Sequence, residues 1–416
     1  MTAVHIVGAG LAGLAAAVKL AGAGRRVVLY DQADHAGGRC RSYHDAVLDR
    51  RIDNGNHLLL SANQAALEFL ETVGSAGSMA SPTRAAFPFV DVATGARWAV
   101  AFCDGPLLGR IPLPPRGIPG AGIGQFLGAL KLRAARNETV VEALDISTPL
   151  YRRFWQPLAV AALNTECEAA AAALLWPVVK ETVLRGGRFC RPMVAREGLS
   201  QSFVDPALAW LEARGAALRL GWRLNGLNFE DGRVASLDFA RRDNVPADGP
   251  VILALPPASA ERAVPGLDVP RESRAIVNGH FRIDGLGAMP RLPYDSPLIG
   301  VLGGTAEWLF LRGDVVSVTV SAAEKLVDED EAAIARRMWA DIARALGFAA
   351  AATPPYRIVK EKRATFAQTP AELPRRAKTR TRWANLFLAG DWTDTGLPAT
   401  IESAIRSGFA AAAAAG

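Results

Sequence analysis

The chain begins with an apolar run, Val4-His5-Ile6-Val7, then a cluster of glycines, then apolar residues from Leu14 to Leu20 at helical spacing. A second apolar run, Val27-Val28-Leu29-Tyr30, ends on Asp31. Two short runs with β-branched residues flanking a segment of period 3.6 predict strand, glycine turn, helix, strand and acid. Further on, Gly198 to Ala213 has the pattern of an amphipathic helix, and Ala216 to Leu224 that of a strand. Phe229-Glu230-Asp231-Gly232-Arg233-Val234 predicts a hairpin on an Asp-Gly turn. Val251 to Leu255, closed by Pro256-Pro257, reads as a buried strand, and Asn385 to Leu388 as another, leading through Gly390-Asp391 to an alanine-rich helix. Gln125 to Arg136 predicts a helix with Phe126, Leu127 and Leu130 near one face and Lys131, Arg133 and Arg136 at its far end.

Composition narrows the class. A chain of 416 residues, half of them hydrophobic and 21% charged, is too apolar for a disordered protein and long enough for two or three modules. Its 39 glycines and 26 prolines make about 16% of the chain against an average near 12%, which points to many loops rather than a helical bundle. An α/β or α+β enzyme fits. The net charge of +6 is spread along the chain with no run of five or six consecutive basic residues, so nucleic acid is not implied. Cys40, Cys103, Cys167 and Cys190 form no Cys-x-x-Cys pair and read as buried reduced thiols, and the five histidines have no metal-ligand spacing.

The opening residues leave no room for a charged segment, an apolar core and a cleavage site, so a cytoplasmic protein is expected. No stretch reaches the ~18 uncharged apolar residues of a spanning helix. Any membrane contact is then peripheral, at the inner face. The helix predicted at Gln125 to Arg136 could dip its apolar side under headgroups, although packing on a neighbouring domain with solvated cations is the plainer reading.

The strongest chemical signal is Gly8-Ala9-Gly10-Leu11-Ala12-Gly13 between the first strand and its helix. Gly8 permits a tight turn, Gly10 lets backbone approach a pyrophosphate, and Gly13 lets helix and sheet pack closely. The helix N-terminus, with the amides of Leu11 and Ala12, faces the phosphates. Asp31, eighteen residues after Gly13, ends the second strand where a carboxylate accepts both ribose hydroxyls of an adenosine. Together these predict a dinucleotide site. A second glycine cluster, Gly117 to Gly124, follows prolines rather than a strand and has no acid strand after it, so it reads as a loop.

Gly37-Gly38-Arg39, directly after the ribose acid, resembles the flavoprotein group that includes amine oxidases, phytoene desaturases and protoporphyrinogen oxidase. The resemblance implies FAD, with these glycines and the guanidinium beside the diphosphate and ribityl chain. Asp53-Asn54-Gly55-Asn56-His57 looks like the group's Asp-x-Gly loop beside the flavin ring, although Asn56 and His57 read equally well as a turn with a solvated histidine. Gly390-Asp391 is similar to the segment that meets the ribityl hydroxyls. Pro398-Ala399-Thr400-Ile401 is similar to the helix start aimed at the pyrimidine edge, where its dipole favours an anionic reduced flavin by roughly 0.3–2 kcal/mol. Backbone near Leu224 would touch adenine.

The implied fold class is α/β: a Rossmann-like FAD-binding domain of the glutathione-reductase type (residues 1–73, 198–257 and 377–416) with a discontinuous α+β substrate domain (74–197 and 258–376). Phe154-Trp155-Gln156-Pro157-Leu158, Ala162-Leu163-Asn164-Thr165, Arg196-Glu197-Gly198-Leu199-Ser200 and Ala389-Gly390-Asp391-Trp392-Thr393 narrow the resemblance to the hydroxysqualene dehydroxylases, also called squalene-associated FAD-dependent desaturases. One departure is Asp31, where the wider group more often has glutamate.

Membership would imply removal of the hydroxyl of hydroxysqualene to give squalene for hopanoid or related triterpene synthesis. The aromatic residues between Phe87 and Phe310, with no catalytic polar cluster among them, favour an apolar isoprenoid ligand. With one nucleotide site, the chain must draw electrons from an external donor. Protonating the departing hydroxyl is general-acid work, for which His57 is the first candidate and Glu402 the second, unless Glu402 merely bonds the first turn of its helix. A carotenoid-type desaturase or amine oxidase running hydride from substrate to flavin stays open, as does a cofactor-free isoprenoid-binding protein on the same fold.

Overall fold

The computed structural model describes residues 2–104, 117–283, 288–349 and 352–416. Strand Val4–Val7 is wholly buried and lies near the middle of a five-stranded parallel sheet. Its neighbours are Val27–Asp31, which pairs in turn with Ala217–Leu220, and Val251–Leu253, which pairs with Leu386–Leu388. Period-two alternation sorts the side chains between two layers. Ile6, Ile252 and Phe387, in register, face helices Leu11–Gly22 and Ile401–Ala415. Val7, Leu253 and Leu388 face a three-stranded antiparallel sheet built on Leu224–Glu230 and Arg233–Phe239. The turn of that hairpin is Asp231-Gly232, both at positive φ (47° and 74°), as its sequence predicts.

A second sheet has seven strands in the order Tyr356–Phe366, Ser273–Arg282, Val315–Val320, Trp308–Arg312, Leu298–Leu302, Ala85–Asp91 and Arg97–Phe102. All its pairs are antiparallel except Leu298–Leu302 with Ala85–Asp91. One face packs Val277, Val318 and Leu309 against helix Glu331–Leu346, which Asp330 caps by accepting from the Ala333 amide. The other face carries Phe87, Phe89, Trp98 and Trp308 against the helical segments between residues 123 and 181. The α/β class expected from sequence is therefore the class observed.

Two predicted helices differ from expectation. Gln125–Arg136 is not one helix: Ile123–Leu127 is α-helical and Gly128–Arg133 tightens to a 3-10 helix. Gly124 and Gly128 weaken α-helix here, and three residues per turn rotates Phe126, Ala129 and Leu132 inward together. Leu127 and Leu130 stay exposed, so Phe126 does not share their side. The helix expected from Gly198 opens with a π-turn, Ser200–Val204, before α-helix Asp205–Glu212. Of the four thiols, Cys103 is exposed rather than buried. No helix among the described residues is long and apolar enough to cross a membrane.

Candidate functional site

The first glycine loop shows why each glycine is needed. Gly8 has φ +108°, and a Cβ there would stand 2.3 Å from the Ala254 carbonyl oxygen. A Cβ on Gly13 would stand 1.8 Å from the Gly8 carbonyl oxygen, so helix and turn could not approach as they do. Gly10 is the opposite case: a Cβ on it would meet nothing within 4 Å. Gly10 is the N-cap of helix Leu11–Gly22 and offers no side-chain cap, so the first amides, those of Leu11 and Ala12 among them, face this opening. An open space bounded by an uncapped helix N-terminus fits a diphosphate.

The surrounding groups converge on that opening. Asp31 accepts hydrogen bonds from the amides of Ala9 (2.7 Å) and Ala33 (2.9 Å), which fixes its carboxylate at the rim. The Gly37 amide donates to the Ala9 carbonyl, and a Cβ on Gly38 would reach the Gly10 Cα at 3.4 Å, so the second glycine pair lies over the first loop. Arg39 donates to Asp391 at 2.8 Å and also to the Ala364 carbonyl. Gly390 holds φ +147°, with its amide donating to Ser407 Oγ. Gly408, next to Ser407, lets helix Ile401–Ala415 press against Ala12: a Cβ there would stand 2.2 Å from the Ala12 carbonyl oxygen.

The Asp-x-Gly loop is held from below and above. Asp53 accepts from Ser42 Oγ, the Leu199 amide and Arg312. Asn56 Nδ2 donates to the Val318 carbonyl (3.2 Å) and Thr319 Oγ1 (3.1 Å), and lies 3.5 Å from Asn278 Oδ1. Burial lowers the half-buried His57 imidazole to about 4, with Asp53 and Asp391 opposing that shift and Arg39 adding to it. The ring is neutral at pH 7 and can donate only its single N–H.

At the C-terminal helix, Thr400 is the N-cap, its Oγ1 accepting from the Ser403 amide, and Ile401 is the first helical residue. The Ala399 amide, one residue after Pro398, donates to Gln368 Oε1 at 2.9 Å. Glu402 is committed elsewhere. It accepts from the amides of Ala65 (3.1 Å) and Ala66 (2.9 Å), capping helix Gln64–Thr72, and pairs with Arg406 at 2.9 Å. It bonds the first turn of another helix, not its own. Leu224 pairs across the hairpin with Phe239; past the pairing of Ala217–Leu220 with the ribose-acid strand, the Gly221 and Trp222 amides donate to the Ala33 and Asp31 carbonyls.

Several residues of this site had no local signal. Gln368 is fully buried and joins Leu163 to Ala399. Asn278 lies in strand Ser273–Arg282 and Thr319 in strand Val315–Val320, and only the pairing of those strands brings them together at Asn56.

The chain matches the family described as flavin containing amine oxidoreductase over residues 11–415. A hydroxysqualene dehydroxylase of Rhodopseudomonas palustris is 45% identical over 98% of this chain and 97% of its own length. Counterparts of the same name from Sinorhizobium fredii and Zymomonas mobilis are 44% and 41% identical, covering 98% and 99% of this chain and 97% and 98% of theirs. Among solved structures, cyclohexylamine oxidase from Brevibacterium oxydans superposes with TM-score 0.71 at 16% identity, covering 99% of this chain and 98% of that one. Putrescine oxidase bound to putrescine gives 0.69 at 16%, with the same coverage. At such identity these two structures speak to the fold alone.

Proposed function

The chain belongs to the flavin-containing amine oxidoreductase family, and we propose that within it this protein is an FAD-dependent hydroxysqualene dehydroxylase that reductively removes the hydroxyl of hydroxysqualene to give squalene. The observation that carries this reading is the 41–45% identity, spread over the whole chain, to three proteins of that name. FAD when bound supplies hydride chemistry.

The chain's own residues divide the remaining work. Amides at Leu11 and Ala12 would hold the diphosphate, Asp31 the ribose hydroxyls, and Asp391 with Arg39 the ribityl segment. The helix start at Thr400-Ile401 would set a positive dipole end at the flavin's pyrimidine edge. Phe87, Phe89, Phe154, Trp155 and Trp308 form a buried aromatic layer, and a substrate site walled by it would keep water from an allylic cation left by the departing hydroxyl. His57 can give the hydroxyl oxygen a hydrogen bond from its neutral N–H. The geometry does not support Glu402 in that role, since both its oxygens are engaged by Ala65, Ala66 and Arg406.

An apolar isoprenoid substrate suits this layer, and electrons come from a donor outside the chain. Exposed Leu127, Leu130 and Ile146, with exposed Lys131 and Arg133, support a peripheral contact with an anionic membrane that would deliver so insoluble a substrate. Anaerobic single turnover tests the reading. Protein with reduced flavin should convert hydroxysqualene to squalene with one flavin reoxidised per product. Flavin that stays reduced while squalene forms would overturn it, as would no squalene.

A further inference from the structure

The sheet strand Leu386–Leu388 is an edge strand, and the segment after Leu373–Arg375 folds back along it. Arg380 pairs antiparallel with Phe387, the Leu388 amide donates to the Thr379 carbonyl, and Thr381 Oγ1 donates to the Leu386 carbonyl. Residues 378–382 therefore follow this edge, with bends at Thr379 and Arg382. Lys378, Arg380 and Arg382 are exposed while Thr379 and Thr381 between them are half-buried, which sets the three cations in one row along no more than about 14 Å of chain.

None of the three has a carboxylate within 4.0 Å among the described residues, whereas Arg375 beside them pairs with Asp268 at 2.8 Å. Two are nonetheless held in place. Arg380 lies over the Phe387 ring (5.6 Å) and Arg382 over the Trp383 ring (4.8 Å), with Arg382 also donating to the Pro265 carbonyl. Ordering long side chains in advance removes part of the entropy that a charged contact would otherwise cost. The row borders a cleft of about 340 Å³ whose floor includes Val264, Leu267 and Leu388.

The same strap is tied to the cofactor site. Buried Arg376 donates to the carbonyls of Asp391, Trp392 and Thr393 and to Thr395 Oγ1, the turn that leads into the C-terminal helix. Phe387, under Arg380, is four residues from Asp391, no more than about 14 Å of chain. A row of unpaired, preordered cations is too long for one phosphate and suits an extended acidic surface.

We propose that this strap is the docking surface for an acidic electron-carrier protein that reduces the flavin. The proposal rests on the reductive reading above, since only that direction needs a donor. In each cycle two carrier molecules would each lose one electron, and the flavin would take up both electrons and one proton from solvent.

The test uses the holoprotein and the triple variant K378E/R380E/R382E, with an acidic [2Fe–2S] ferredoxin and an acidic flavodoxin as probes. Titration calorimetry at about 20 mM salt, where surface charges are least screened, should show at least one probe binding the wild type. Its Kd should rise steeply with salt and be raised at least about tenfold in the variant. The photoreduced probe should reduce the wild-type flavin at least about tenfold faster than the variant's, while dithionite reduces both alike. Binding of neither probe, binding insensitive to salt, or equal binding by the variant would overturn the proposal. So would fast reduction by NADPH that the same three substitutions abolish, because the cations would then hold a dinucleotide. Squalene made by dithionite-reduced wild type and variant reads the dehydroxylase assignment separately.

Discussion

Replacing Glu402 separates a structural role from a catalytic one. Its carboxylate is 3% exposed and ends helix Gln64–Thr72 through two buried amides, those of Ala65 and Ala66, while also pairing with Arg406. A hydrogen bond to a charged group contributes about 1.5–3 kcal/mol, and a buried donor left unpaired costs about 1–3 kcal/mol. Glu402→Ala removes two such bonds and strands two amides, while Arg406 keeps Glu181. The loss should be about 3–5 kcal/mol, and the entropy of unfolding scaled to this chain length converts that to a fall of roughly 4–6 °C in Tm. Glu402→Gln keeps an acceptor of the same shape and should lose only about 1–2 kcal/mol. Thermal unfolding followed by release of flavin fluorescence reads the stability, and single-turnover squalene formation below the transition reads the chemistry. Both variants should turn over within about threefold of wild type. A Gln variant of unchanged Tm that turns over a hundredfold slower would refute the reasoning and restore Glu402 as the acid.

Gly10→Val should purify folded but without absorbance in the flavin band after gel filtration, because its side chain enters the open phosphate space; Gly13→Val should fail to fold at all, which circular dichroism will register. Asp391→Ala removes the proposed ribityl contact and leaves Arg39 without its carboxylate partner, so FAD affinity should drop at least about tenfold by fluorescence titration. The half-buried His57 ring and the buried His280 ring both have their pKa lowered to about 4 from an ordinary 6.5. An unfolded chain takes up those protons first, so stability should be full above pH 6.5 and decline as pH falls towards 4. His280→Gln should flatten that decline in urea titrations run at several pH values; an unchanged slope would contradict it.

The cofactor half was legible because its constraints are local. Gly8, Gly10 and Gly13 sit within six residues, and the backbone each requires is dictated by neighbours in sequence or by one adjacent strand. Likewise Asp231-Gly232 names its own turn. The substrate half was legible only as composition. Its sheet joins Ala85–Asp91 to Leu298–Leu302, about two hundred residues apart, and Asn278 and Thr319 meet at Asn56 only once Ser273–Arg282 pairs with Val315–Val320. No periodicity marks Gln368, whose partners Leu163 and Thr165 on one segment and Ala399 on another are remote from it in sequence. Glu402 was misjudged for the same reason: its position at a helix start suggested its own first turn, while the amides it serves are more than three hundred residues away.

The central claim is that hydride leaves the reduced flavin for the carbon that loses its hydroxyl. Hydrogen at flavin N5 exchanges with solvent, so protein chemically reduced in heavy water and given hydroxysqualene under anaerobic conditions labels the transferred hydride. The account predicts squalene carrying one deuterium at the former carbinol carbon, and no squalene from oxidised protein without a donor. Unlabelled squalene from the reduced protein would contradict hydride delivery from the flavin, and hydroxysqualene left intact by reduced protein, with new double bonds introduced by oxidised protein, would contradict the dehydroxylase itself.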